Sequence, residues 1–433
     1  MLERKAEKLL REWKNTKGTE ALLVMGARQV GKTFLIDKFV REHYRNVVKF
    51  DLIDQTEVLN AFDAARSSQD LFLAISAYAD APLEKGRTAI FIDEVQECKE
   101  ALTLVKYLTQ RTDYDYILSG SLLGVELKDL RSAPVGYLHI VEMHPLDFQE
   151  FCWANGVGEE AWGEIADAFA QRRPINQAVH DRFLKLFHRY LLAGGMPRPV
   201  SGFIEDYDVQ ALVRRQNDII QLYRYDIAKY ASGNKKLAIR EIFDEMPSQL
   251  DSQTKRFNFS AIAPRGTYER YRDDFIWLVD AGVAIPVRNV SEPKRPLRLV
   301  ENRSFFKLFM NDVGLLSAAC GMEVVRDLVS NDFSVNYGAI YENAVAQELH
   351  AHGRGGFFFR NRKLGEIDFL IQDRTGVLPI EVKSGKTYKR HSALTQLLAT
   401  ANYGIGQAVV LCESNVEVNG PVTYFPVYMA AFL

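Results

Sequence analysis

The sequence is sparing with cysteine and has no apolar run that could cross a bilayer. Its 433 residues include four cysteines, Cys98, Cys152, Cys320 and Cys412. They are far apart, form no CxxC pair and have no histidine at ligand spacing. This argues against a structural zinc or a disulfide framework and fits a reducing cytoplasm. The first fourteen residues are charged and amphipathic, without the apolar core of a secretion signal. No later stretch approaches the roughly 20 apolar residues of a membrane span, so a cytosolic chain without a membrane partner is expected. Charge of one sign is missing too: 54 Lys and Arg against 56 Asp and Glu leave a formal net charge of -2. No global field then draws the protein to nucleic acid, and any such contact must use a local patch. Repeats and low-complexity segments are absent. What remains is an ordinary globular composition in a chain too long for one core, so two or three domains are expected.

The most informative stretch is Gly26–Ala27–Arg28–Gln29–Val30–Gly31–Lys32–Thr33, which fits the phosphate-cradling pattern GxxxxGK[ST] at every defined position. Ala21 to Met25 reads as a buried strand before it, and Thr33 to Val40 as an amphipathic helix after it. In that context Gly26 and Gly31 let successive N–H groups turn inward, and the helix N-terminus adds its positive dipole end. Lys32 is placed to reach the β- and γ-phosphates of ATP, and the Thr33 hydroxyl to be a ligand of Mg2+. Ala89–Ile90–Phe91–Ile92–Asp93–Glu94 supplies the second element. Its four apolar residues bury a strand, Asp93 emerges as the metal-side carboxylate, and Glu94 follows as candidate general base for an attacking water. A further strand, Tyr116 to Ser121, ends in hydroxyls, and Ser119 is the candidate sensor of the γ-phosphate.

Further on, strands at Val47–Asp51 and Pro134–Met143 alternate with helices near 56–64, 69–79 and 98–110, predicting a parallel sheet covered on both faces and closing near residue 155. The stretches LLREWK, LLVMGARQVGKTFLIDKF, IFIDEVQE, ILSGSLLG and PVGYLHIVEMHPLDFQEF, with YLLAGGMPRPV, FKLFMNDVGLL and EIDFLI…LPIEVKSG beyond them, resemble AAA-plus-type ATPases of bacteria and archaea that carry an uncharacterised, nuclease-like C-terminal domain. The resemblance spans nearly the whole chain. It implies an AAA-plus-like ATPase domain over residues 1–155 and homo-oligomers in which a neighbour's arginine completes the site. Arg111 and Arg131 are equal candidates for that arginine.

Residues 156–300 read as a helical linker followed by a winged helix. The run Gly194–Gly195–Met196–Pro197 must be a tight break between helices, with a packing role. Val283–Arg288 and Leu297–Val300 read as the hairpin of a wing. Arg265, Arg270 and Arg272 on the preceding helix, with Lys294, Arg295 and Arg298 on the wing, form a mixed basic face that could meet phosphates.

Residues 301–433 hold a second constellation. A helix over Gly338–His352 carries Glu342. Three strands follow at Phe357–Arg360, Glu366–Ile371 and Leu378–Lys383, then a helix at 391–401 and a strand at 407–412. Glu381 and Lys383, two apart in a strand, share a face. If the neighbouring strand brings Asp368 beside them, two carboxylates can hold a divalent metal that activates water, with the lysine orienting it. This D…ExK order resembles the PD-(D/E)XK nuclease superfamily. The likeness implies a restriction-endonuclease-like α/β domain, with Asp368, Glu381 and Lys383 in the metal and catalytic positions and Glu342 in the auxiliary one. Lys386, Lys389, Arg390 and His391 would form a basic rim. The expected function is an ATP-hydrolysing protein whose C-terminal site acts on DNA or RNA. The alternatives are an ATP-driven switch whose nuclease-like domain binds a partner without cutting, and a scaffold with a structural nucleotide.

Overall fold

The computed structural model describes residues 2–110, 113–121, 136–230, 235–252, 255–330 and 337–433. Two compact units divide the chain: one of Arg4–His144 with Asp280–Gly282, the other of Pro145–Val279 and Val283–Leu433 together with the residues before Arg4.

The first unit opens with helix α1 (Ala6–Thr16), whose buried Leu10 and Trp13 form its inward side. Five strands follow: β1 (Ala21–Met25), β2 (Asn46–Asp51), β3 (Thr88–Asp93), β4 (Asp115–Gly120) and β5 (Leu138–Glu142). They lie in the order β2-β3-β4-β1-β5 and every pairing is parallel. Parallel strands must be crossed over by other elements, which fill the intervals here: α2 (Lys32–His43), α3 (Thr56–Asp63), α4 (Ser68–Tyr78) and α5 (Lys99–Thr109). The near-continuous apolar runs of β1 and β3 follow from that layering, since both faces are covered and no alternation is needed. The expected fifth strand is present over Leu138–Glu142, while residues 122–135 and Arg111 lie outside the described residues, and with them both candidate arginine fingers.

The second unit starts with helices α6 (Phe148–Ala154), α7 (Glu159–Gln171), α8 (Gln177–Ala193), α9 (Pro197–Asp206), α10 (Val209–Tyr230), α11 (Lys235–Asp251) and α12 (Tyr268–Asp280), the last ending at the unit boundary. Next come strands β6 (Ala284–Val290) and β7 (Glu301–Met310), then α13 (Val313–Ala319), α14 (Met322–Ser330) and α15 (Gly338–Ala351). The chain closes with β8 (Phe357–Asn361), β9 (Gly365–Gln372), β10 (Val377–Val382), α16 (Ser392–Ala399), β11 (Ala408–Cys412), β12 (Glu417–Asn419) and β13 (Val422–Pro426). All eight of these strands form one mixed sheet in the order β12-β13-β11-β10-β9-β8-β6-β7.

The break at Gly194–Pro197 is a packing device, as expected. Gly194 has φ +67, and an added Cβ would lie 2.2 Å from the Asp312 carboxylate. At Gly195 the Cβ would lie 2.1 Å from the carbonyl oxygen of Leu146, whose N–H donates back to Gly195 at 2.7 Å. The buried Asp312 joins the two segments, accepting from the N–H of Gly195 at 2.5 Å and from that of Leu315 at 2.9 Å as the N-cap of α13.

The winged-helix expectation is corrected by the sheet. The strand at Ala284–Val290 does turn back, but Leu297–Val300 is a single 3-10 turn and the return strand is Glu301–Met310. The hairpin is no free wing: β6 pairs in parallel with β8, Arg288 opposite Phe357 and Val290 opposite Phe359. Burial is the reason, since Ala284, Ile285, Val287 and Val290 are all buried and need cover that an isolated two-stranded ribbon does not have. On the helix that carries Arg270 and Arg272, Tyr271 is likewise buried and Tyr268 packs on Phe259 and Phe306, so its aromatic residues serve the core.

Candidate functional site

In the first unit, β1 ends at Met25 and α2 begins at Lys32, so residues 26–31 must reverse the chain within one loop. Gly26 has φ +143, and a Cβ there would lie 2.1 Å from the Met143 carbonyl oxygen. Gly31, with φ +94, is the left-handed N-cap of α2, and Gln29 is left-handed as well, with φ +68. Only glycine adopts the first two conformations without strain, which is why the pattern demands it at those positions. The loop is buttressed from the N-terminus by Arg4, whose guanidinium donates to the carbonyls of Val30 at 2.8 Å and His144 at 2.7 Å. Nothing in the local sequence marks Arg4 for this role. Lys32 is buried, and its ammonium donates to the carbonyls of Gly26 and Ala27 at 3.0 and 2.9 Å, so the charge is held against the loop itself.

Asp93 ends β3, next to β4 in the sheet, so its carboxylate meets the side chains at the end of β4. Ser119 donates its hydroxyl to Asp93 Oδ1, and Thr33 hydrogen-bonds the same carboxylate. Burial pushes the Asp93 carboxyl up, while these two hydroxyls act to hold it down. Thr33 and Asp93 are thus together, as a shared metal site requires. Ser119 is fully buried with its hydroxyl on Asp93, which makes it a positioning residue for that carboxylate. Glu94 adopts φ 53, a conformation costly for a glutamate, and so turns the chain out of the strand into a 3-10 turn. Its Oε2 accepts from Gln96 at 2.6 Å and from Ser121 at 3.4 Å. Gln96 and Ser121 are two partners that the sequence pattern does not specify.

In the second unit, the antiparallel register of β9 and β10 sets Ile380 opposite Phe369, which brings the neighbouring Asp368 and Glu381 together. Asp368 Oδ2 accepts from the N–H of Val382 at 2.8 Å. Lys383 donates to Glu381 Oε1 at 3.2 Å, whereas the buried Glu381 Oε2 has no hydrogen-bond partner among the described residues. Burial, reinforced by the Asp368 charge, pushes the Glu381 carboxyl up to about 8; burial and then Glu342 push Asp368 up to about 6. Asp368, Glu381 and Lys383 therefore converge, as their spacing predicts.

Glu342 also reaches this cluster, but in a different capacity. Lys255 and Lys307 both pair with it, Lys307 at 3.4 Å. Lys307 is 0% exposed, and its ammonium also lies 2.7 Å from Glu366 and 3.9 Å from Asp368. Burial alone would raise the Glu342 carboxyl; the two ammonium groups overcome it and hold it below the usual range. Sequence reasoning missed both lysines. Lys307 does leave a signal, a lone charge inside the apolar run Phe305–Phe306–Lys307–Leu308–Phe309 of a buried strand. Lys255, 87 residues from its partner, leaves none.

Three of the other basic groups singled out in the sequence are engaged elsewhere. Lys294 pairs with Glu292 at 3.1 Å, Arg295 donates to the Arg374 carbonyl at 2.6 Å, and Lys389 pairs with Glu417 at 2.8 Å. A further grouping, Asp147, Glu348 and His352, has ligand atoms within 4.8 Å of one another. Its carboxylates cap a helix: Asp147 accepts from Glu150 at 2.9 Å and Glu348 from Phe148 at 3.0 Å. Among the described residues no helix is long and apolar enough to cross a membrane.

Comparison with known proteins covers the chain in three parts. Residues 18–152 match an AAA domain, residues 184–325 a domain of unknown function (DUF8612), and residues 337–428 another (DUF4143). No curated protein matches. Similar solved structures include a Walker-type ATPase of Pyrococcus abyssi, 15% identical over 74% of this chain and 96% of that one, with a TM-score of 0.42. Another is the ORC1 protein of Aeropyrum pernix in complex with DNA, 11% identical over 77% and 93%, with a TM-score of 0.30. A RuvB variant of Thermotoga maritima is 17% identical over 65% and 87%, with a TM-score of 0.27. With the phosphate loop, the Asp93–Glu94 pair and the matched family domain in agreement, the N-terminal part of this chain is an AAA-type P-loop ATPase domain and the protein is an ATPase.

Proposed function

We propose that this ATPase carries a metal-dependent phosphodiester-cleaving site of PD-(D/E)XK type in its C-terminal part, acting on DNA or RNA. The observation that carries the reading is the unpartnered Glu381 Oε2, buried beside Asp368 and Lys383. A buried carboxylate oxygen without a donor is costly, and a hard divalent cation is the partner that suits it. Asp368 and Glu381 would hold that ion, Mg2+ or Mn2+, which when bound supplies an activated water and charge neutralisation. Lys383, tethered by Glu381 at 3.2 Å, keeps a positive charge at the rim where the phosphate would lie. Burial would lower its ammonium, but Glu381 and Asp368 outweigh it and hold the pKa above the ordinary value, so it remains a cation. Lys307 and Lys255 neutralise Glu342 and so restrict the ligands to Asp368 and Glu381.

In the ATPase domain the roles follow the same logic. The backbone of residues 26–31 with Lys32 binds the polyphosphate, Thr33 and Asp93 would hold Mg2+, and Glu94 takes a proton from the attacking water. Ser119 fixes the Asp93 carboxylate.

The deciding experiment is cleavage of single- and double-stranded DNA and RNA with Mg2+ or Mn2+, with and without ATP, comparing the native protein with Asp368→Ala. Cleavage lost in the variant supports the proposal, and its ATP dependence measures coupling. Absence of cleavage alongside ATP turnover would refute it in favour of a switch whose C-terminal fold only recognises a partner.

A further inference from the structure

Helix α8 carries a further cluster of chemistry-bearing residues, none of them shared with the two groups described above. Arg182, Lys185 and Arg189 are spaced by three and four residues, which sets them on one face of the helix. All three are exposed, and no carboxylate among the described residues forms an ion pair with any of them. They line a cavity of about 560 Å³, together with Asn155, Asp181 and Tyr207, within the size range of small-ligand sites. The acidic member, Asp181, accepts a hydrogen bond from Gln177 at 2.8 Å, so its charge is partly engaged within its own helix.

Tyr207 brings an aromatic ring to the same cavity. It caps the C-terminus of α9 with φ 52, a left-handed position that glycine normally fills and that a bulky side chain occupies only at a cost. The residue is 56% exposed, with one edge of its contact supplied by the Phe203 ring at 5.8 Å. The backbone holds the ring at the cavity, with the Arg189 guanidinium 5.6 Å from its centroid. Three unpaired cations beside an exposed, cation-backed aromatic ring form the combination that takes phosphate and base together.

We propose that this cavity binds a nucleotide unit, its phosphate on Arg182, Lys185 and Arg189 and its base against Tyr207. The source of the unit is either a free nucleotide or a residue of a single-stranded nucleic acid. The site depends on neither the phosphate loop nor the Asp368–Glu381 cluster, so its test silences both.

The test uses the full chain carrying Lys32→Ala, in EDTA at low salt. A fluorescent short oligothymidylate is titrated by anisotropy, and AMP and pyrophosphate by calorimetry. Reversing Arg182 and Arg189 to Glu should weaken all ligands by more than about tenfold. Tyr207→Ala should weaken oligothymidylate and AMP by about tenfold while leaving pyrophosphate unchanged. Lys85→Glu, an exposed cation in the other unit, controls for bulk charge and should change nothing. Tighter binding of the oligomer than of AMP identifies a strand as the source; equal affinity per site identifies a free nucleotide. Absence of binding, or binding that the Arg182 and Arg189 reversals leave intact, overturns the proposal. Should the double reversal misfold by circular dichroism, Lys185→Met and Tyr207→Ala test the site singly, and binding that neither weakens overturns it equally.

Discussion

Replacing Lys307 by methionine isolates the contribution of one buried charge. Methionine matches the length of the lysine stem, so little cavity forms, and the change is the loss of an ammonium that contacts Glu342 at 3.4 Å, Glu366 at 2.7 Å and Asp368 at 3.9 Å. Removing one partner of a buried ion pair typically costs about 3–5 kcal/mol when the other charge is left uncompensated; Lys255 still pairs with Glu342 and Arg360 with Glu366, so the loss falls toward the lower end of that range. Against a domain stability of about 5–15 kcal/mol that loss is large, and urea unfolding followed by circular dichroism will register it as a lower midpoint. The penalty should depend on pH. In the native protein Glu342 is held below the usual carboxylate range, so its contribution is present above that range and is lost as pH falls through its folded value. In the variant only Lys255 is left to oppose burial, so the Glu342 carboxyl rises relative to the native protein and lowering the pH removes part of the penalty. The difference between variant and native protein should thus shrink as pH falls through the carboxylate range. Adding Glu342→Gln to Lys307→Met should recover part of the loss, as a double-mutant cycle would quantify. A shift below about 1 kcal/mol at the higher pH, or one indifferent to pH, would refute the assignment of Lys307 as the cluster's internal counter-charge.

Other outcomes follow from the same geometry. Saturating Mg-ATP at a hundred times its dissociation constant should stabilise the native protein by about 2.7 kcal/mol, and Lys32→Ala should abolish that gain in a thermal-shift titration. Glu94→Gln should keep nucleotide bound and stop phosphate release; retained turnover would remove Glu94 from the base role. Gly26→Ala places a Cβ 2.1 Å from the Met143 carbonyl, so it should eliminate ATP binding in calorimetry while far-ultraviolet circular dichroism changes little. Gly195→Ala meets the Leu146 carbonyl at 2.1 Å, and its expected effect is a lowered unfolding temperature with unaltered nucleotide affinity.

Much of the ATPase domain was legible because its parts are local. A phosphate cradle is made of consecutive backbone N–H groups, so residues 26–33 carry their own geometry, and the strand and helix on either side can be read from apolar patterning. Asp93 and Glu94 are readable for a similar reason, standing at the end of an unbroken apolar strand. Local reading failed at the hairpin after residue 283. A strand's pattern says that it needs a partner but not which one, and β8, more than sixty residues later, completes the pairing. At Ser119 it reached the hydroxyl at the end of a strand but not its partner, since only with β3 and β4 side by side does that hydroxyl meet Asp93.

The phosphate loop, its acidic partner, the Glu381–Lys383 face and the packing break at Gly194–Pro197 are all encoded by residues that are neighbours in the chain. Long-range packing was needed to reveal that Arg4 braces the loop, that Lys255 and Lys307 neutralise Glu342, and that the expected wing is part of a sheet. These depend on charges and strand edges brought together across long stretches of chain, where burial makes each unpaired group expensive and so selects its partner by space rather than by spacing.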